Sequence, residues 1–347
     1  MSIIPTTFNE TLPSYTVVGG REQLGSTGLS AVLLNRSRGY TRWNLFHDLE
    51  KTGFDTVVSV EPSPPSYDIE ELSAHFPFVR FVLLQEPISL GEQINLAVSE
   101  LDSSLFFVLW NDLKIIAGGS SRRMAERLTL SDNGTEKTTG IPAEKNRYKR
   151  LCTVPVIQTS RFETLPTLMI PALQRNKVKI MFLNPGADGI SSLYPFDGAG
   201  IYDRERFIRL GGFDGTIKNS YWQLMDFGFR AYLWGEEIIS TQTLKLSYEA
   251  DVPAEENSTG PDFNRFYLKN LAPVFQGDSA YLPLRRFPGY MLQAGNSIAA
   301  AWDDFSESRR WVHANRFRWH CDPAAFVKRW DLDEAEETFM PGNNSSS

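Results

Sequence analysis

Cysteine and histidine are both scarce in this sequence, with two and four copies among 347 residues. Cys152 and Cys321 lie far apart and match neither a metal-binding nor a redox spacing. This scarcity excludes cysteine-based metal and redox sites. It predicts two reduced thiols, as expected of a cytoplasmic protein.

Long apolar runs and an excess of basic residues are also missing. No stretch approaches the roughly 18 consecutive apolar residues of a membrane span. The first twenty residues lack the basic start and apolar stretch of a signal peptide. The net charge is −7 and the pI about 5.3, which disfavours a general nucleic-acid binder. We therefore expect no transmembrane segment and no nucleic-acid partner.

Apolar residues, by contrast, are abundant at 41% of the chain, enough for a sizeable core. From residue 29, strand-like and helix-like segments alternate. The predicted strand segments are LSAVLLNRSRG, FDTVVSVEPSPPS, FVRFVLLQE and SLFFVLWND, and the helices between them are TRWNLFHDLEKTG, DIEELSAHF and SLGEQINLAVSEL. This alternation predicts an α/β fold with a mostly parallel, Rossmann-type sheet flanked by helices.

Polar residues stand where the predicted strands end. Ligands of such sheets bind outside the carboxyl ends of the strands. The candidate binding residues at these ends are Asn35, Arg36, Glu61, Asn111 and Asp112. The run FVLWND, in which a buried strand leads directly into an acid, is explained if Asp112 faces a crevice there.

The later part of the chain predicts a strand in VKIMFLNPG, helices in DRERFIRL and NSYWQLMDFGFRAYLWG, and a strand in IISTQTLKLSYE. Beyond residue 250 the pattern is helical, in PGYMLQAGNSIAAAWDDF and DPAAFVKRWDL. We expect an N-terminal extension at 1–28, a main domain at 29–250, a helical C-terminal extension at 251–335 and a disordered tail at 336–347. Residues 117–150 predict a long mobile loop, either a lid over a site or a surface insertion.

The order of these segments resembles that of GT-A-fold glycosyltransferases, closest to the inverting transferases of family 2. The matching stretches are VSVEPS, EPISLGEQINLA, FFVLWNDLKI, AGIYDRERFIRLGGFDGTI and YWQLMDFGFRAYLWGEE. The resemblance covers roughly residues 29–250. It implies a GT-A-like fold that binds a nucleotide sugar.

The resemblance implies a donor side and a metal. Asp112 takes the place of the second acid of the Asp-x-Asp motif and would bind Mg²⁺ or Mn²⁺ at the diphosphate. Trp110 replaces the first acid, and either stacks on the donor or packs in the core. The donor-binding residues implied are Asn35, Arg36, Glu61, Asn95, Trp110 and Asn111.

The resemblance also implies an acceptor side. Asp226 aligns with the family's catalytic base and would deprotonate the acceptor hydroxyl; the alternative is a helix-face salt bridge with Arg230. Arg204, Gly211, Gly212 and Trp222 would flank the acceptor.

Three departures from the family pattern keep a second hypothesis open. They are Trp110 in the metal motif, Met225 beside Asp226, and Tyr248 with Glu249 where relatives carry a metal-binding histidine. The first hypothesis is transfer of a sugar from a UDP- or GDP-sugar to a glycan or lipid-linked acceptor by inverting displacement. The second is a catalytically degenerate protein that binds a nucleotide or glycan.

Tryptophan and arginine alternate in the segment RRWVHANRFRWH near the C-terminus. Two interpretations remain open for this segment. It belongs either to a peripheral contact with the inner face of a membrane or to a helical layer that caps the domain.

Overall fold

The computed structural model describes residues 13–36, 42–62, 68–132, 149–174, 177–249, 251–295, 297–328 and 330. Its strands are β1 (Tyr15–Gly19), β2 (Leu29–Leu34), β3 (Val57–Glu61), β4 (Val79–Leu84), β5 (Leu105–Trp110), β6 (Leu113–Ala117), β7 (Lys149–Gln158), β8 (Leu168–Gln174), β9 (Lys177–Leu183), β10 (Gly200–Asp203), β11 (Glu236–Tyr248), β12 (Val274–Gln276) and β13 (Ser279–Tyr281). Its α-helices are α1 (Arg42–Thr52), α2 (Ile69–His75), α3 (Leu90–Ser99), α4 (Ser121–Asp132), α5 (Arg204–Leu210), α6 (Ser220–Leu233), α7 (Pro261–Phe266), α8 (Phe287–Ala294) and α9 (Ile298–Ala314). Residues 323–328 are also helical.

Nine of the strands form one sheet in the order β1-β4-β3-β2-β5-β10-β7-β11-β6. Strands β4, β3, β2 and β5 are parallel, and β10 runs antiparallel to both β5 and β7. All six residues of β2 are buried, as expected when helices cover both faces of a parallel sheet. The predicted α/β class, with a largely parallel sheet and a helical C-terminal part, is confirmed.

The strand directions decide where a ligand site lies. The parallel pairing of β2 with β3 and β5 brings residues 35–36, 61 and 110–112 to one edge of the sheet. Strand β10 enters from that edge and ends beside the start of β5, where Arg204 N–H bonds to the Ser104 carbonyl. The carboxyl edge of the parallel strands is therefore the edge to inspect.

Helix α6 is the central helix of the second half. Asn219 caps it by accepting a hydrogen bond from the Trp222 N–H, as the sequence predicts. A Cβ on Gly228 would lie 2.1 Å from the Leu193 carbonyl oxygen. Helix and loop therefore touch backbone to backbone, which only glycine permits.

Several elements differ from the sequence expectations. Residues 117–150 are not one loop: β6 ends at Ala117 and α4 occupies Ser121–Asp132, while 133–148 lie outside the described residues. Segment 178–183 is a strand, but it pairs with β8 in a separate hairpin. The expected helix at 288–305 is two helices, because Gly295 adopts a left-handed φ of 65° between α8 and α9.

The N-terminal region contributes to the same sheet. Strand β1 pairs antiparallel with β4, with Tyr15 opposite Leu84. The sequence pattern does not indicate this strand, because its residues are only half buried and glycines follow it. The tail at 336–347 lies outside the described residues. Each helix in the described ranges is too short or too polar to span a bilayer.

Candidate active site

Arg36 organises the carboxyl edge of the sheet. Its Nε and Nη2 donate to the two carboxylate oxygens of Asp112 at 2.8 and 3.0 Å, a bidentate pair. Its Nη2 also lies 2.6 Å from Asp197 Oδ2. The guanidinium stacks 4.1 Å from the centre of the Trp110 ring and 5.6 Å from that of Tyr248. Arg36 is thus held by two carboxylates and two aromatic faces.

Asp197 is one of the site residues that the sequence analysis missed. It follows Phe196 in a tight turn and has a φ of 55°, a strained value for a residue with a side chain. Its backbone carbonyl accepts from Trp110 Nε1 at 2.8 Å, and its carboxylate accepts from the Tyr248 hydroxyl at 2.9 Å. Its position in the sequence does not indicate that it lies near Asp112. The two residues come together because β10, which begins at Gly200, runs antiparallel to β5.

Burial and charge act in opposite directions on this cluster. Burial lowers the pKa of Arg36, but the hydrogen bonds from Asp112 and Asp197 more than offset this effect and leave it raised. Burial raises the pKa of Asp197, and its bonds with Arg36 offset only part of the increase. The Arg36 guanidinium therefore stays charged, whereas burial disfavours the charged form of the Asp197 carboxylate.

A cavity of about 370 Å³ opens beside this cluster. Arg36, Trp110 and Asp197 form one wall, and the first turn of α6 with the loop at 253–256 forms the other. The lining residues are Arg36, Leu90, Trp110, Phe196, Asp197, Lys218, Asn219, Ser220, Tyr221, Leu224, Pro253, Ala254, Glu255 and Glu256. The cavity thus joins cationic, acidic and aromatic groups at the edge where α/β sheets bind ligands.

Glu255 is an acidic residue of this cavity whose pKa lies near neutral pH. Burial raises its pKa to about 7, and the nearby Asp197 charge adds to the increase. The Tyr194 hydroxyl lies 3.4 and 3.5 Å from its two oxygens. A carboxyl group that exchanges its proton near neutral pH is suited to act as a general base. The sequence analysis did not identify Glu255, because the segment around it follows no family motif.

Asp226 does not reach the cavity. Its side chain is 0% exposed and is paired with Arg230, whose Nε donates to Oδ2 at 2.9 Å. Asn270 Nδ2 donates to its other oxygen at 2.7 Å. The cavity is lined instead by Leu224, two residues earlier and about 200° around the helix. The salt bridge predicted as the alternative is present, and the geometry gives no support to Asp226 as the base.

Two other predicted site residues hold the fold together. Asn95 is 2% exposed, and its amide donates to the Phe213 carbonyl and accepts from the Phe213 N–H at 2.8 and 2.9 Å. Gly212 has a left-handed φ of 65°, and a Cβ there would lie 2.4 Å from Asn95 Oδ1. Asn95 therefore clamps the loop after α5 and leaves no amide group for a donor.

The remaining acceptor-side predictions lie away from the cavity. Gly211 ends α5 with a φ of 92°. Arg204 sits at the opposite end of the sheet, because β10 is antiparallel to β5. Trp222 packs among Phe263 and Phe266 and donates to the Ser258 carbonyl at 2.8 Å. It supports the loop that carries Glu255 without lining the cavity itself.

Three donor-side predictions stay near the site. Asn35 Nδ2 donates to the Val60 carbonyl at 2.6 Å, and its Oδ1 is buried with no partner among the described residues. Glu61 is 0% exposed and accepts from Ser59 Oγ at 2.5 Å. Asn111 accepts from the Arg36 N–H at 3.3 Å and lines a second cavity, of about 640 Å³, with residues of α1 and β6.

A divalent cation does not fit the groups at this edge. Mg²⁺ needs oxygen ligands at about 2.0–2.1 Å in octahedral geometry. Both oxygens of Asp112 and one of Asp197 already accept hydrogen bonds from Arg36. In the described part of the chain, no three His, Cys, Asp or Glu side chains form a group able to hold a metal. The predicted role of Asp112 as a metal ligand therefore conflicts with its contacts.

The fold has counterparts among solved structures. A structure of GalNAc-T7 with UDP, GalNAc and Mn²⁺ superposes with a TM-score of 0.53 and 12% identity, covering 92% of this chain and 59% of its own. This chain therefore spans less than two thirds of that protein's length. No family model matches this chain, and no curated protein matches it.

A second structure, S. aureus TarS 1-349 in complex with UDP-GlcNAc, gives a TM-score of 0.46 and 12% identity. It covers 82% of this chain and 72% of its own. The likeness to GalNAc-T7, with the sheet order described above, shows that this chain has a GT-A-like glycosyltransferase fold.

Proposed function

We propose that this chain is a glycosyltransferase that moves a sugar from a nucleotide-sugar donor to a hydroxyl group in the 370 Å³ cavity. The observation that carries this proposal is the juxtaposition of the Arg36 guanidinium and the Glu255 carboxyl group in one cavity of a GT-A-like fold. One group is suited to an anionic leaving group, and the other to a hydroxyl nucleophile.

The proposed reaction is a single inverting displacement. Glu255 takes the proton from the acceptor hydroxyl, whose oxygen attacks the anomeric carbon as the bond to the nucleoside diphosphate breaks. The charge on the departing diphosphate meets Arg36 and the N-terminal end of α6, whose helix dipole favours an anion. Glu255 replaces Asp226 as the proposed base, since only Glu255 lines the cavity.

A UDP-sugar is the proposed donor, since the GalNAc-T7 structure was solved with UDP. Asn35 stays in the proposal on the donor side because it adjoins Arg36 at this end of the sheet, where its Nδ2 donates to the Val60 carbonyl. Asn111 and Glu61 stay in the proposal as neighbours of Asn35 at the same edge. GDP-sugars are the alternative donors to be tested beside it.

The test replaces Glu255 by Gln and measures release of UDP or GDP from a panel of nucleotide sugars. Loss of a general base lowers the rate by about 10²–10⁴-fold, while donor affinity stays within twofold. Glu256→Gln is the matched control, because Glu256 lines the same cavity and its carboxylate accepts only from Ser258 among the contacts described. Equal rates for Glu255→Gln and the wild-type chain would remove Glu255 from the mechanism.

A second candidate function is a nucleotide- or glycan-binding protein without turnover. The ion pairing of Asp112 and the burial of Asp226 favour it, because the predicted metal ligand and the predicted base are both paired with arginines. Calorimetry with UDP and GDP beside the release assay separates the two functions. Binding with no release from any sugar in the panel supports the binding protein.

We further propose a cytoplasmic location against the inner face of a membrane, with a glycan or lipid-linked acceptor. Exposed apolar side chains on α8 and α9 support this, with Leu292 at 81%, Ile298 at 68% and Trp302 at 47% exposure. Co-sedimentation with anionic vesicles tests it. Leu292→Glu is expected to reduce binding to vesicles, and unchanged sedimentation of this variant counts against the membrane contact.

A further inference from the structure

We infer that the Arg36 guanidinium takes the place of the divalent cation, so that this site binds its donor without a metal ion. The inference deepens the proposed function and rests on it for the identity of the donor. The replacement of the cation depends only on the cluster formed by Arg36, Asp112, Asp197, Trp110 and Tyr248. It can therefore be measured separately from the identity of the donor.

The contacts of Arg36 match those that a cation would make. It bridges the acid of the strand-end motif and a second carboxylate from a distant turn, with nitrogen–oxygen distances of 2.6 to 3.0 Å. A metal ion at about 2.0–2.1 Å from the same oxygens would lie against the guanidinium, where like charges repel. Metal and Arg36 in its present position therefore exclude each other.

Two aromatic side chains, Trp110 and Tyr248, hold the Arg36 guanidinium in this position. Trp110 stands where the family pattern has its first acid, and its ring lies 4.1 Å from the guanidinium carbon. Tyr248 stands where relatives carry a metal-binding histidine, and it faces the same guanidinium while donating to Asp197. Two of the departures from the family pattern thus place aromatic rings against the Arg36 guanidinium.

Arg36 also keeps a donor group for a ligand. Its side chain is 23% exposed and lines the cavity, and its Nη1 has no hydrogen-bond partner among the residues the structure describes. One guanidinium facing two carboxylates leaves the cluster with net negative charge, whereas a divalent ion would neutralise both. The first turn of α6 would supply the remaining attraction for a diphosphate, since Lys218, which also lines the cavity, is paired with Glu92 at 2.6 Å.

The test measures Mn²⁺ binding by electron paramagnetic resonance, and UDP binding by calorimetry with and without EDTA. The wild-type chain is expected to bind no Mn²⁺ at Asp112 and to bind UDP with an affinity that EDTA changes less than twofold. Arg36→Ala vacates the space between Asp112 and Asp197. It is expected to bind Mn²⁺ at least tenfold more tightly than the wild-type chain, and to need Mn²⁺ for UDP binding.

Arg36→Lys and the double variant Arg36→Ala with Asp112→Asn are the matched controls. Lysine keeps the positive charge and is expected to exclude Mn²⁺, and loss of Asp112 is expected to abolish the Mn²⁺ binding gained by Arg36→Ala. Stoichiometric Mn²⁺ binding by the wild-type chain that a folded Asp112→Asn variant lacks would overturn the inference, and circular dichroism checks that this variant is folded. Arg36→Ala binding Mn²⁺ no better than the wild-type chain would also overturn it. Absence of UDP binding in every variant, with the Mn²⁺ results as expected, would refute the proposed function alone.

Discussion

Two aspartate–arginine pairs in this molecule look alike in chemistry and differ in position. Arg36 and Asp112 are 76 residues apart in the chain and meet at the wall of a cavity, with 23% and 5% of their side chains exposed. Asp226 and Arg230 are one helical turn apart, and both are 0% exposed. The first pair faces a possible ligand, whereas the second faces only protein.

The partners of each arginine show what each pair does. Arg230 donates to the carbonyl groups of Leu210 and Gly212 at 2.8 Å each, so it ties α6 to the loop after α5. Arg36 contacts side chains from three separate parts of the chain, at residues 110–112, 197 and 248, and keeps one nitrogen free of described partners. A fully bonded arginine in the interior stabilises one arrangement of the chain, while one with spare capacity at a cavity can bind an anion.

The largest expected effect tests the interior pair. Asp226→Asn leaves Arg230 charged and buried without its counter-ion, and removal of one partner from a buried ion pair costs about 3–5 kcal/mol in the free energy of unfolding. Urea denaturation followed by circular dichroism measures this loss. The transfer rate per folded molecule is expected to stay within a few-fold of the wild-type value.

Asp112→Asn is the matched change at the cavity pair. It should cost about 1–2 kcal/mol, because Arg36 keeps Asp197 and some contact with solvent. Similar losses for the two variants would mean that the difference in burial has no energetic consequence. An Asp226→Asn chain with wild-type stability and no transfer would instead restore Asp226 as the catalytic base.

Local signals explain why much of the fold is predictable from the sequence. The unbroken apolar runs at 29–34 and 105–110 and the caps at Ser89 and Asn219 each depend on neighbouring residues, and the structure has the expected strands and helices there. The sequence pattern does not indicate β1, which is only partly buried. The places of β1 and β7 depend on pairing with distant strands, which a local pattern does not encode.

The site is less predictable, because it depends on which face of an element meets a cavity. Asp226 matches a family motif, but the helix turns Leu224 toward the cavity in its place. Arg36 was predicted to bind the donor, yet its pairing with Asp112 was not. Asp197 and Glu255 match no motif. They lie on the Arg36 side of the sheet because Asp197 precedes the antiparallel strand β10 and Glu255 follows β11. A motif therefore gives the residue type, and the three-dimensional path decides its role.

A smaller effect is expected at Tyr248. Its substitution distinguishes a hydrogen bond that supports the Arg36 cluster from simple packing of the ring. Tyr248→Phe removes the hydroxyl that donates to Asp197 at 2.9 Å and keeps the ring beside Arg36. Loss of one such hydrogen bond costs about 0.5–1.5 kcal/mol. Thermal denaturation measures it, and the expected shift is a few degrees downward. No change in melting temperature would indicate that this hydroxyl contributes nothing to the cluster.

The last prediction concerns pH and Glu255, whose pKa is raised in the cavity. Since burial raises the pKa of Glu255 from 4.5 to about 7, the folded chain binds this proton more tightly than the unfolded chain does. The stabilisation from the protonated group is fully present below pH 4.5 and is lost as the pH rises through 7. Glu255→Gln is therefore expected to match the wild-type melting temperature near pH 4.5 and to exceed it at pH 8. The wild-type transfer rate should rise over the same range with a midpoint near 7, because the base must be ionised. A melting difference that is equal at both pH values would show that the pKa of Glu255 is not raised by folding.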